Sequence, residues 1–288
     1  MFLITGIVPH EDFPLILGKT ELKNEALKID TLEIPVERGT SALISASIKV
    51  LEYFNKPLPF VFLVGDIGKG NGSKNLYKSL AEVIPKLDPK LITFHYILPD
   101  VDGCLKVIMS LEKLNSKPFL IADAGFMYVV KMAGYANFFD LFTPDIGELA
   151  FLADEEAPHP FYTRGFLLAE ENKIEDLIKR AYQYKNTPQY LLIKGEKDYI
   201  VKNGKILEII LDPIIPELEA IGGTGDTLTG IVSALIYIGF SPEKACSLGS
   251  KINRLAGALA NPTPATQIFE IIKYITPALN ICIPDKIL

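Results

Sequence analysis

Several stretches of the chain are apolar at most positions, among them Phe60–Val64, Leu91–Leu98, Phe119–Ala122 and Tyr190–Ile193. A run of this kind is the pattern of a strand covered on both faces, as in a parallel sheet. Between the runs, apolar residues recur at helical spacing: Gly39 to Leu51, from about Ser73, about 102–114, after Gly125, from near Gly147, and about 172–185. Strand and helix alternate six or more times, which predicts an α/β fold: a three-layer α/β/α arrangement around a mostly parallel sheet. Beyond the last of these strands, 196–205 reads as a strand entering a hairpin at Asn203-Gly204. Leu228, Ile231, Val232, Leu235 and Ile236 mark a further helix, and 243–259 and 268–274 read as helical. Residues 1–36 show only short β-like runs, Phe2–Ile4 and Leu32–Val36, around a charged, Pro-containing stretch. Residues 154–172 form a longer aromatic and charged connection, in which His159, Tyr162 and Arg164 read as part of a surface flap.

Composition narrows the picture. The chain has 288 residues, 49% of them hydrophobic and none Trp, which suits one large α/β unit or two small ones. No linker or repeat divides it, so 1–288 is read as one domain. A net charge of −6 argues against nonspecific nucleic-acid binding. The three cysteines, Cys104, Cys246 and Cys282, are too few and too scattered for a disulfide framework or a metal cluster. They are expected to be reduced and buried in a cytoplasmic protein. The N-terminus lacks the pattern of a signal peptide, and no stretch reaches the roughly 20 apolar residues of a membrane span. A homo-oligomer stays open.

Candidate chemistry gathers where strands end and helices begin. Gly222-Gly223-Thr224-Gly225-Asp226 leads straight into the helix marked by Leu228. Glycine allows φ > 0 and close approach of backbone, and the unpaired N–H groups of a helix start favour an anion. Asp226 beside such a site would repel a phosphate, so it reads as a general base; helix capping by Asp226 or Thr224 is the plainer alternative. A second glycine loop, Gly68, Gly70 and Gly72, follows the strand 60–64 and is either a ligand loop or a tight turn. Asp123 closes one strand, and Thr143-Pro144-Asp145 with Gly147 and Glu148 closes another. Lys194-Gly195 closes a third. His95, inside an apolar run, is read as a core residue rather than a catalyst.

Gly-Gly-Thr-Gly-Asp followed by Leu228-Thr229-Gly230 resembles the anion-hole motif of the ribokinase-like superfamily, in the form closest to the ADP/ATP-dependent NAD(P)H-hydrate dehydratases. Thr143, Pro144, Gly147 and Glu148 match that family's Leu-Thr-Pro-His-Pro-Gly-Glu, with Asp145 in place of its substrate-contacting His. The resemblance runs over about 39–275. It implies Asp226 as catalytic base and a nucleotide, ATP or ADP with Mg²⁺, over Lys194, Gly195, Gly222, Gly223, Thr224 and Gly225. Gly68, Gly70, Gly72, Asp123, Asp145, Gly147 and Glu148 would face the substrate. Lys69 and Asn71 replace the family's Pro and Leu, and Asp198 replaces a Thr. The implied activity is dehydration of NAD(P)H hydrate. Two alternatives are a small-molecule kinase acting on a sugar or a vitamin-precursor alcohol, and a non-catalytic nucleotide-binding regulator. The implied partners are a nucleotide and a small substrate, with no nucleic acid, no membrane and no protein-bound metal.

Overall fold

The sheet is laid around β1 (Phe2–Val8), whose residues are all buried except the partly buried Ile7. In the computed structural model, which describes residues 1–155 and 173–284, β1 pairs in parallel with β5 (Phe60–Gly65) and with β6 (Leu91–His95). Three more parallel strands follow on the β6 side: β7 (Phe119–Asp123), β8 (Leu141–Phe142) and β9 (Tyr190–Ile193). The expected parallel core is therefore present, in the order β5-β1-β6-β7-β8-β9.

Antiparallel strands extend both edges. At one edge β10 (Asp198–Lys202) and β11 (Lys205–Ile210) form the hairpin expected at Asn203-Gly204. Both turn residues have positive φ, 50° and 77°, the backbone that an Asn-Gly turn supplies most readily. At the other edge β2 (Ile16–Lys23), β3 (Ala26–Ile29) and β4 (Leu32–Pro35) form a meander on β5. Its turns rest on Asn24 and Asp30 in left-handed conformation without a glycine beside either, which is why the sequence pattern there was faint.

Helices cover the two faces. One carries α1 (Thr40–Tyr53), α7 (Thr224–Tyr237), α8 (Pro242–Ala260), α9 (Ile268–Ile272) and α10 (Ile275–Cys282). The other carries α2 (Asn71–Leu87), α3 (Val101–Leu111), α4 (Ala124–Met132), α5 (Ile146–Ala153) and α6 (Ile174–Gln183). Alternation along β1 serves both cores: Phe2, Ile4 and Val8 point into the first, Leu3 into the second. Among the described residues no helix is long and apolar enough to cross a membrane. Cys104 and Cys246 are buried and Cys282 partly so, all unpaired.

Two features place the site. The chain steps from β5 across β1 to β6, so the carboxyl ends of β1 and β6 flank a topological switch point, where open α/β sheets bind ligands. And α1 lies tightly on α7: a Cβ on Gly230 would come within 2.2 Å of the Leu43 carbonyl oxygen. The Ser47 hydroxyl donates to the Gly230 carbonyl at 2.9 Å. This contact draws the start of α1 over the start of α7.

Candidate active site

Asp226 stands in the first turn of α7, buried under the start of α1. Its Oδ2 accepts the Gly39 N–H at 2.7 Å, and its Oδ1 lies 3.0 Å from His95 Nε2. Gly39 precedes α1 with φ 85° and ψ −146°, a backbone that a side chain would strain. His95, the last residue of β6, is fully buried, and its Nδ1 lies 3.0 Å from Thr40 Oγ1. The Thr40 hydroxyl in turn donates to the Ile7 carbonyl at 2.7 Å. Burial alone would raise the Asp226 pKa. The hydrogen bond and charge of His95, the Lys194 ammonium and the Gly39 N–H outweigh that and hold the carboxyl below the usual carboxylate range. Asp226 is therefore ionised at neutral pH and able to accept a proton.

A second carboxylate faces the same loop. Lys194, just past β9, sets its ammonium 2.9 Å from both carboxylate oxygens of Asp123, the last residue of β7. Asp123 also accepts the Ala124 N–H at 2.9 Å and the Thr229 hydroxyl at 2.6 Å. Burial works against the charge on Lys194, but Asp123 above all, then Glu148 and Asp226, raise its pKa beyond the ordinary value. Ligand atoms of His95, Asp123 and Asp226 lie within 4.8 Å of one another. Lys194 already supplies the cation that Asp123 needs, so this trio does not suit a divalent ion. Mg²⁺ accompanying a nucleotide would take its ligands from phosphate oxygens and water.

The glycine loop runs between two cations. Of its three glycines only Gly223 has positive φ, 106°; the expectation that Gly222 and Gly225 share that freedom is corrected. At Gly222 the requirement is space, and at Gly225 a methyl would only reach ordinary contact. A Cβ on Gly222 would meet Arg38 Cδ at 3.2 Å, and one on Gly225 would meet Lys194 Nζ at 3.5 Å. No side chain caps the start of α7, so neither Thr224 nor Asp226 acts as a cap. The first-turn N–H groups have no carbonyl partner within the helix. Beside the loop a cavity of about 370 Å³ is lined by Ile7, Pro9, Arg38, Gly39, Thr40 and Tyr96. Tyr96 has φ 54° and stands edge-on to His95 at 4.5 Å.

The family model described as NAD(P)H-hydrate dehydratase matches residues 102–277, a span that holds Asp123, Glu148, Lys194 and the whole Gly222–Asp226 loop. The chain belongs to this dehydratase family. It is 47% identical over 239 residues to an uncharacterized protein of Methanocaldococcus jannaschii, covering 83% of this chain and 98% of that one. A ribokinase-like superfamily protein of Enterococcus faecalis superposes with a TM-score of 0.61 at 14% identity, covering 98% and 87% of the two chains. The ADP/ATP-dependent NAD(P)H-hydrate dehydratase of Bacillus subtilis, co-crystallized with ATP/Mg²⁺, superposes with a TM-score of 0.56 at 14% identity, covering 98% and 89%. These two likenesses establish the ribokinase-like fold.

The structure sorts the other residues expected to serve this dehydratase-family site. Gly68 and Gly70 turn their N–H groups onto Asp66 Oδ1, each at 3.0 Å, and Ser73 binds Oδ2. That nest is thus filled by the protein's own carboxylate. Gly72 has a packing reason, since its Cβ would lie 2.0 Å from the Gly65 carbonyl oxygen. Asp145 begins α5 in a reciprocal capping box with Glu148: Glu148 N–H to Asp145 Oδ1 at 2.7 Å and Asp145 N–H to Glu148 Oε2 at 2.8 Å. Gly147, between them, belongs to the first turn. Burial, then the Asp145 charge, pushes the Glu148 carboxyl up to about 8. The Gly195 N–H binds Asp198, which is held by Arg254 at 2.9 Å. Arg254 also donates to the carbonyls of Gly195 and Glu196, fixing the Lys194-Gly195 turn to α8.

His95 is buried as expected, yet it touches Asp226, so the reading of it as a core residue without a part in the site is corrected. Arg38 and Thr40 also reach the site and carried no signal in the chain pattern, while Gly39, read as a helix start, and Thr229, read within the loop motif, give an N–H to Asp226 and a hydroxyl to Asp123. His159, Tyr162 and Arg164 lie outside the described residues.

Proposed function

We propose that the protein dehydrates NAD(P)H hydrate with consumption of ATP or ADP. The observation that carries this reading is Asp226, ionised and held at the start of α7 beside a glycine loop flanked by Arg38 and Lys194. The nucleotide phosphates lie over Gly222–Gly225 with the two cations at their sides, and Mg²⁺ supplies further charge neutralisation when bound. The hydrate's hydroxyl oxygen bonds to the terminal phosphorus, the bridging P–O bond breaks, and the hydroxyl proton passes to Asp226. A carboxylate of low pKa is a weak base, so the proton moves as the forming O–P bond makes the hydroxyl acidic. Loss of phosphate and of the neighbouring ring proton then restores the dihydronicotinamide.

A small-molecule kinase is the second reading. The cavity beside Thr40 and Tyr96, at about 370 Å³, is near the lower end for ligand sites and suits a compact alcohol. The deciding assay incubates the protein with ATP or ADP, Mg²⁺ and NADH hydrate and follows the return of reduced-nicotinamide absorbance. Parallel reactions with ribose, hydroxymethylpyrimidine and hydroxyethylthiazole are read by ADP release. Nucleotide-dependent recovery of NADH supports the dehydratase. ADP release on an alcohol without NADH recovery overturns it in favour of the kinase, and nucleotide binding without any turnover leaves a regulator.

A further inference from the structure

Four ionisable groups are mostly shielded from solvent around the start of α7: Asp123 and His95 are 1% and 0% exposed, Asp226 9%, and the Lys194 side chain 13%. Two are carboxylates and one is an ammonium. Glu148, which also faces Lys194, has its carboxyl pushed up by burial and by the Asp145 charge. Asp123 is matched by Lys194 at 2.9 Å. Among the described residues Asp226 is left with His95 as its only partner able to carry positive charge within hydrogen-bond reach.

The hydrogen bonds locate the protons. Thr40 has one hydroxyl proton, and it is directed to the Ile7 carbonyl at 2.7 Å. Toward His95 Nδ1, at 3.0 Å, Thr40 Oγ1 is therefore an acceptor, and Nδ1 donates. A neutral imidazole protonated there would turn a bare Nε2 lone pair onto Asp226 Oδ1 at 3.0 Å, setting two acceptors in contact. That contact is stable only with a proton between them. The second carboxylate oxygen near Nε2, Asp123 Oδ2 at 3.9 Å, adds to the field favouring it.

We infer that His95 is a positioning residue for Asp226, carrying a proton on both ring nitrogens and pinning Oδ1 so that Oδ2, steadied by the Gly39 N–H, faces the substrate hydroxyl. This inference rests on Asp226 being the base. The groups facing the pair are Asp123 from β7, Lys194 after β9, Glu148 from α5 and Tyr96 after β6, together with the Gly39 N–H just before α1. With Lys194 and His95 both protonated, the two carboxylates are balanced and the buried cluster is neutral. Proton transfer from the substrate then leaves it positive beside the phosphoryl group it must stabilise.

Two measurements test this. Nitrogen NMR of histidine-labelled protein, free of substrate, reads the His95 ring directly, with the resonance assigned through His95→Gln. Both nitrogens are expected to bear protons at about pH 7 in the parent and to revert to a single-proton imidazole in Asp226→Asn. A single-proton His95 in the parent overturns the inference. In turnover, His95→Ala is expected to move the acid limb of kcat/KM upward by about one pH unit, because burial of Asp226 remains while its cationic donor is lost. His95→Gln, whose amide N–H restores a donor without the charge, is expected to recover about tenfold in kcat over His95→Ala while the limb stays raised. An acid limb unmoved in His95→Ala also overturns the inference. If none of the candidate substrates turns over, the proposed reaction fails, and the NMR result still decides the state of the pair.

Discussion

Lys194 binds both carboxylate oxygens of Asp123 at 2.9 Å, although 71 positions separate the two residues. The pair joins the end of β9 to the end of β7 and sets an ammonium under Gly225. An incoming phosphate therefore meets a cation whose field is already partly matched, which favours reversible binding over a permanent ion pair. Removing the cation alone exposes the other side of that arrangement. Lys194→Met leaves Asp123 buried without its nearest cation, and it is expected to lower stability by about 3 kcal/mol. Urea denaturation of the parent and the variant measures this; equal midpoints would mean that water reaches Asp123.

Asp226→Asn keeps the size of the side chain and one acceptor oxygen but removes the proton acceptor. Turnover is expected to fall by about 100-fold or more while nucleotide still binds. Steady-state kinetics and calorimetry on the same preparation separate the two effects. Near-normal turnover would place the base elsewhere.

Gly225→Ala adds a methyl at ordinary contact distance from Lys194, whose Nζ would lie at 3.5 Å. Gly225→Val adds branches that push the ammonium from the loop. Nucleotide affinity is expected to be kept in the first and lost by about tenfold or more in the second, with the fold unchanged in both. Titration calorimetry reads the difference, and equal affinities would show that phosphate binds away from this loop.

Arg38 is exposed beside Gly222 and makes no ion pair or hydrogen bond among the described residues. Arg38→Ala should leave thermal stability unchanged and weaken nucleotide binding by about tenfold, with a shallower dependence of affinity on salt. Binding measured across a salt series checks both points. A salt slope equal to the parent's would remove Arg38 from the phosphate site.

Glu148 gives stability a pH dependence of definite sign. Its carboxyl rises from an ordinary value of 4.5 to about 8 on folding, so the folded state holds a proton that the unfolded state has lost. Its contribution to stability therefore falls as pH rises from about 4.5 to about 8 and is level beyond. Glu148→Gln retains an acceptor for the Asp145 N–H and is expected to flatten that interval. Denaturation midpoints across the range test it, and an unchanged profile would assign the dependence to other groups.

Periodicity encodes burial, and burial was what the chain revealed unaided. The apolar runs at 60–64 and 190–193 became covered parallel strands, and the spacing of Leu228, Ile231, Val232 and Leu235 became a buried helix. Asn203-Gly204 announced its hairpin because few dipeptides accept two positive φ values in succession. Asp123, Lys194 and Asp226 were legible because polar residues abruptly ending apolar strands, or opening a helix after glycines, have few structural reasons to be there. Tertiary structure alone decided which of them meet. His95 reaches Asp226 across 131 positions and Gly39 reaches it across 187. Both contacts depend on β6 lying next to β1 and on α1 closing over α7. A histidine within an apolar run has the same local signature whether it is buried against carbon or against a carboxylate. Likewise Asp66 fills the nest of Gly68 and Gly70, whereas among the described residues no carboxylate accepts from the N–H groups of Gly222 to Gly225. Both loops carry three glycines within five positions. They differ in where the folded backbone brings a carboxylate.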